Sequence, residues 1–158
     1  MNEFISKSEQ DTISFARDFA KDLKPGDIVV LTGELGSGKT KFTQGILEYF
    51  GLENEISSPT FTIVNEYKKD NINIYHFDVY RIEDIDEFYA IGYQDYFENG
   101  ICIIEWGERI EEVLPTHYTK ITFSKDENNL DCRKLIIEKI WHFVTKMSYF
   151  LFLKLFTF

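Results

Sequence analysis

Apolar residues recur at two different periods along this chain of 158 residues, and the switch between periods lays out the elements. Over residues 8–23, Ile13, Ala16, Phe19, Ala20 and Leu23 fall at three-and-four spacing, which predicts an amphipathic helix. Ser8 with Asp11 makes a capping pattern at its start, and Pro25-Gly26 stops it. Residues 28–31 form a short continuous apolar run, the mark of a strand buried on both faces. A glycine-rich loop follows, then a second helix over about residues 39–50, closed by Gly51. Residues 61–67 and 72–80 read as strands. Lys68-Lys69-Asp70-Asn71 between them supplies turn chemistry, so an antiparallel hairpin is predicted. Residues 83–91 predict a helix, residues 101–106 a second buried strand, and residues 108–114 a short helix ended by Pro115. Residues 118–124 and 130–138 predict another hairpin. Mixed strands with interleaved helices argue an α/β sandwich.

The length suits one domain, placed at residues 1–140. Residues 141–158 are read as an apolar helical tail of unknown role. Its last part, MSYFLFLKLFTF, is apolar nearly all round but far shorter than the roughly 20 residues of a membrane span. No membrane association is expected. Hydrophobic residues at 44% and charged residues at 28% exclude a disordered chain. The net charge of −10 argues against autonomous tight binding to DNA or RNA. Cys102 and Cys132 form no CxxC pair and the three histidines are scattered, so neither a structural zinc site nor a disulfide framework is expected. The polar start lacks the basic and apolar regions of a secretory leader, and two free thiols fit a reducing cytosol.

One segment carries chemistry. Gly33-Glu34-Leu35-Gly36-Ser37-Gly38-Lys39-Thr40 fits G-x-x-x-x-G-K-[ST], with a predicted strand before it and a helix starting within it. Glycines let the backbone turn and bring amides close to phosphate oxygens. The helix start adds a positive dipole end. Lys39 is a compact charge for the β- and γ-phosphates, and the Thr40 hydroxyl is a magnesium ligand type. A chance match in a chain of this size is on the order of one in two hundred. The fold class is therefore read as a P-loop NTPase-like three-layer sandwich with a mixed central sheet.

Such a loop needs an acid to hold or orient magnesium. Asp78 ends one apolar run and Glu105 another, and spacing alone does not choose between them. Period-two geometry puts His76, Asp78 and Tyr80 on one strand face. Ser58-Pro59-Thr60 is a loop whose threonine is placed to report the γ-phosphate, as switch loops do. Trp106 is a contact residue if exposed and core if buried.

Taken in order, G-E-L-G-S-G-K-T, then S-P-T-F-T-I-V-N-E-Y at residues 58–67, H-F-D-V-Y-R at residues 76–81 and I-E-W at residues 104–106 resemble the bacterial TsaE (YjeE) ATPases. The resemblance spans roughly residues 8–138; the tail after Trp141 has no counterpart in it. It implies work in making threonylcarbamoyladenosine, the modified base beside the tRNA anticodon. It implies ATP and Mg²⁺ as cofactors, with Gly36, Ser37, Gly38, Lys39, Thr40 and Lys41 wrapping the phosphates. Thr40 and Glu105 would bind Mg²⁺, and Asp78 would sit by the nucleotide and be needed for hydrolysis. Thr12 and Arg133 would contact the nucleotide, Thr60 would be the switch threonine, and Trp106 would matter for activity. The implied partners are TsaD and TsaB, on which ATP hydrolysis resets the complex between turnovers. The tRNA is touched only indirectly, and the setting is cytoplasmic. Two rivals stand beside this reading: a small-molecule kinase and a nucleotide-dependent interaction module without meaningful hydrolysis.

Overall fold

The computed structural model describes residues 2–53, 62–129 and 131–142. Seven strands form one sheet: β1 (Asn2–Ser6), β2 (Ile28–Thr32), β3 (Val64–Lys69), β4 (Ile72–Asp78), β5 (Ile101–Glu105), β6 (His117–Lys125) and β7 (Arg133–Trp141), in the spatial order β1-β7-β6-β2-β5-β4-β3. The four central strands, β6, β2, β5 and β4, run parallel, while β1, β7 and β3 pair antiparallel at the two sides. The sheet is thus mixed, as the sequence predicts.

Helices cover both faces, and the two-residue period of the buried strands explains why. In β2, Val29 and Leu31 join the core under α1 (Glu9–Ala20) and α2 (Lys39–Tyr49), with Phe42, Ile46, Ile101 and Ile103. Ile28 and Val30 face the other core, with Phe77, Phe88, Cys102, Ile104 and Ile110. That side carries α3 (Ile85–Ala90), α4 (Tyr93–Asn99) and a 3₁₀ helix at Gly107–Val113. A strand buried on both faces needs apolar side chains at every position, which is the continuous run seen in the sequence.

Local signals act as expected at several ends. Ser8 caps α1 by accepting the Asp11 amide at 3.1 Å, and the Asp11 carboxylate reaches back to the Lys7 amide at 3.0 Å. The helix stops at Ala20 rather than residue 23, because Lys21, Asp22 and Leu23 bond three residues back and tighten the last turn. The first predicted hairpin forms with a shorter turn: β3 runs on to Lys69, and Asp70 takes φ 53°. β4 ends at Asp78, so Tyr80 lies beyond the strand and does not share its face with His76 and Asp78. β1 and α4 are absent from the sequence prediction. Trp141, assigned there to the tail, closes β7. Residues 143–158, and with them the rest of the predicted helical tail, lie outside the described residues. Among the described residues no helix is long and apolar enough to cross a membrane.

Candidate functional site

The parallel strands all point their carboxyl ends the same way, and ligand crevices in such sheets open there. The loop after β2, Asp78 at the end of β4, Glu105 at the end of β5 and Lys125 at the end of β6 meet at that edge. The cavity at this edge, lined by the loop, Asp78 and Glu105 among others, has a volume of about 410 Å³.

The loop at residues 33–38 is shaped by its glycines. Gly33 has φ 132°, and a Cβ there would lie 2.4 Å from the Phe123 carbonyl oxygen of β6. No other residue type fits both constraints. Gly38, at φ 107°, precedes α2 with no side-chain cap. The amides of the first turn of α2 thus lack intrahelical acceptors and face the cavity from a dipole end. The hydroxyl of Ser37 is buried and has no hydrogen-bond partner among the described residues. A buried orphan oxygen beside uncapped amides is what an anion with several oxygens would satisfy.

Lys39 donates to the carbonyls of Gly33 at 2.7 Å and Glu34 at 3.0 Å, and its ammonium lies 3.6 Å from the Trp106 ring centroid. Burial holds this ammonium below the ordinary lysine value of 10.5, while the carboxylates of Glu105, Glu108, Asp78 and Glu34 pull the other way. Trp106 is half-buried, so it is neither plain core nor a fully open contact. Its backbone is left-handed at φ 65°, and the Tyr80 ring lies tilted against its own with 4.8 Å between centroids.

The two acids that spacing left equal are separated by tertiary structure. Asp78 and Glu105 are register partners across β4 and β5. Glu105 is the one that meets the helix: the Thr40 hydroxyl donates to its Oε2 at 3.0 Å and the Thr43 hydroxyl lies 3.2 Å from Oε1. Asp78 accepts from the Tyr80 amide at 3.1 Å and lines the cavity beside them. The Thr40 hydroxyl and the Glu105 carboxylate, both hard oxygen donors 3.0 Å apart, are ligand types that could hold a magnesium ion.

Thr12, Gly36, Ser37, Gly38, Lys41 and Arg133 also line the cavity, with Lys39, Thr40, Asp78, Glu105 and Trp106; His76 and Tyr80 are not among the lining residues. Thr12 is buried with its hydroxyl 2.7 Å from that of Ser6. Lys41 pairs with Glu9 at 2.9 Å. Arg133 reaches the Gly36 carbonyl at 3.4 Å, and Lys125 reaches that of Leu35 at 2.7 Å. Thr60 lies outside the described residues. Sequence reasoning missed Thr43, though it stands three residues after Thr40 on the same helix face, and the wall formed by Glu9, Leu35 and Asp131. The lining holds four carboxylates (Glu9, Asp78, Glu105, Asp131) against three cations (Lys39, Lys41, Arg133). Side-chain charge alone therefore does not make the cavity attractive to a polyanion.

The family model described as "Threonylcarbamoyl adenosine biosynthesis protein TsaE" matches residues 6–135. A Rickettsia typhi protein named tRNA threonylcarbamoyladenosine biosynthesis protein TsaE is 42% identical over 123 residues, covering 77% of this chain and 85% of its own length. A Bacillus subtilis protein of the same name is 42% identical over 117 residues, covering 73% of each. The crystal structure of Bacillus subtilis YdiB superposes with a TM-score of 0.69 at 30% identity, covering 97% of this chain and 94% of that one.

Proposed function

Since the chain belongs to the TsaE family of tRNA threonylcarbamoyladenosine biosynthesis proteins, we propose that it acts there as a magnesium-dependent ATPase, slow alone and faster when docked on a TsaD–TsaB complex. The observation that carries this reading is the convergence of uncapped α2 amides, Lys39, Thr40 and Glu105 on one cavity. Phosphoryl transfer to water needs positioning and charge neutralisation more than covalent chemistry. Amides at residues 36–41 grip the β- and γ-phosphates, and Lys39 swings from its own loop carbonyls to join them. Thr40 and Glu105 hold the magnesium, which when bound neutralises charge between the phosphates. Asp78, at the cavity wall, orients the attacking water. Thr12 and Arg133 contact the rest of the nucleotide.

Among the arginines, Arg133 lines the cavity. Arg109 donates to the Ile82 carbonyl at 3.3 Å and stacks on Tyr80. A partner is the natural source of further charge, and an acidic chain leaves the tRNA to that partner. The setting is the cytoplasm. A small-molecule kinase needs an arginine-rich lid over the phosphates, and the sequence has only Arg17, Arg81, Arg109 and Arg133, none clustered. Phosphate release from ATP, measured with and without TsaD–TsaB, tests the reading. Stimulated release is expected. Binding without release favours the interaction module, and transfer of label to a metabolite favours the kinase.

A further inference from the structure

We propose that His76 is the positioning residue of the metal site, its Nε2–H holding one oxygen of Glu105 so that the other faces Thr40 and the cation. The inference rests on reading the cavity as a magnesium–nucleotide site. The two oxygens of the Glu105 carboxylate have different neighbours. Oε1 meets His76 Nε2 at 2.9 Å and the Thr43 hydroxyl at 3.2 Å, while Oε2 meets the Thr40 hydroxyl at 3.0 Å. The Thr43 hydroxyl also lies 3.3 Å from the Lys39 carbonyl, and its single proton cannot serve both acceptors. His76 is the undivided donor to Oε1.

The burial of the ring strengthens the assignment. His76 is 1% exposed and Glu105 3%. The Nδ1 of His76 has no hydrogen-bond partner among the described residues. A carboxylate only accepts, so the proton of this contact sits on Nε2. An aromatic hydrocarbon in this place would pack without an orphan nitrogen, and leaving a buried polar atom unpaired has a cost. What the imidazole gains in return is its grip on Glu105. The pairing is also set by the sheet: His76 lies opposite Ile103, two residues before the Asp78–Glu105 pair, so the contact is a diagonal between neighbouring parallel strands. Ligand orientation by such hydrogen bonds typically governs metal affinity by 10–100-fold.

The test compares His76→Phe, His76→Gln and His76→Asn. Manganese is titrated into each chain with ATP and read by the loss of the free-ion electron paramagnetic resonance signal; ATP binding in EDTA is measured by calorimetry. H76F should weaken manganese binding roughly 10–100-fold and leave ATP binding in EDTA unchanged. H76Q, whose amide nitrogen reaches the position of Nε2, should recover most of the loss, and H76N, one bond shorter, should not. Unchanged manganese affinity in H76F overturns the proposal. So do equal affinities in H76Q and H76N, the pair that decides the matter if H76F fails to fold. A wild-type chain that binds ATP no better with manganese than in EDTA overturns the reading of the cavity itself.

Discussion

The Lys39 ammonium lies 3.6 Å from the centroid of the Trp106 ring while donating to two carbonyls of its own loop. The lysine is folded back, and the indole is its lid. If nucleotide draws Lys39 forward, the ring loses a cation from its face. Emission from Trp106 should therefore change on adding ATP and magnesium, read in a Trp141→Phe background because Trp141 is the other tryptophan and 65% exposed. In Lys39→Ala the starting emission should already differ. Identical spectra in all four states would rule out the lid.

Lys39→Ala should reduce phosphate release by about 10²–10³-fold, the usual effect of removing one donor to transition-state charge. The fold should persist, since Lys39 bonds only loop carbonyls and no helix or strand depends on it. Circular dichroism checks the fold. A variant that turns over ATP like the wild type refutes the role.

Gly45 of α2 packs directly on α1. A Cβ there would lie 2.4 Å from the Ile13 carbonyl oxygen and 2.6 Å from the Ala16 Cβ. Alanine favours an isolated helix by about 1 kcal/mol over glycine, yet backbone overlap at this distance forces the helices apart, at about 1–3 kcal/mol. Gly45→Ala should lower the melting temperature by several degrees, roughly 2–8 °C. A rise would show that the helix pair slides freely.

The two cysteines should react unequally. Cys102 is fully buried, its thiol donates to the Tyr96 carbonyl at 3.4 Å, and burial pushes its pKa from 9.0 to about 12. Cys132 is half-buried. At pH 8 a disulfide reagent should titrate one thiol in the native chain and two in guanidinium. The sign of the pH effect follows: the folded chain holds the Cys102 proton more tightly than the unfolded one, so its contribution to stability is complete below about pH 9 and is lost as pH rises toward 12. Equal labelling of both thiols in the native state would contradict the packing of β5.

Sequence alone determined what depends on neighbours in the chain. The glycine-rich loop at residues 33–40 is legible because glycine, lysine and threonine stand at fixed short spacing. β2 and β5 are legible because strands buried on both faces need unbroken apolar runs. β1 was not, since Asn2–Ser6 is an edge strand with a weak pattern whose partner β7 lies some 130 residues away. Nor was the difference in surroundings between Asp78 and Glu105. Both end apolar runs, and only the packing of α2 over the sheet brings Thr40 and Thr43 against one of them. Local pattern placed His76 only on the strand face of Asp78; its contact with Glu105 depends on a diagonal across two parallel strands joined by α3 and α4. Spacing along a chain fixes which groups can turn, cap or cradle; which of them touch is set by strand register and helix docking, which no local pattern encodes.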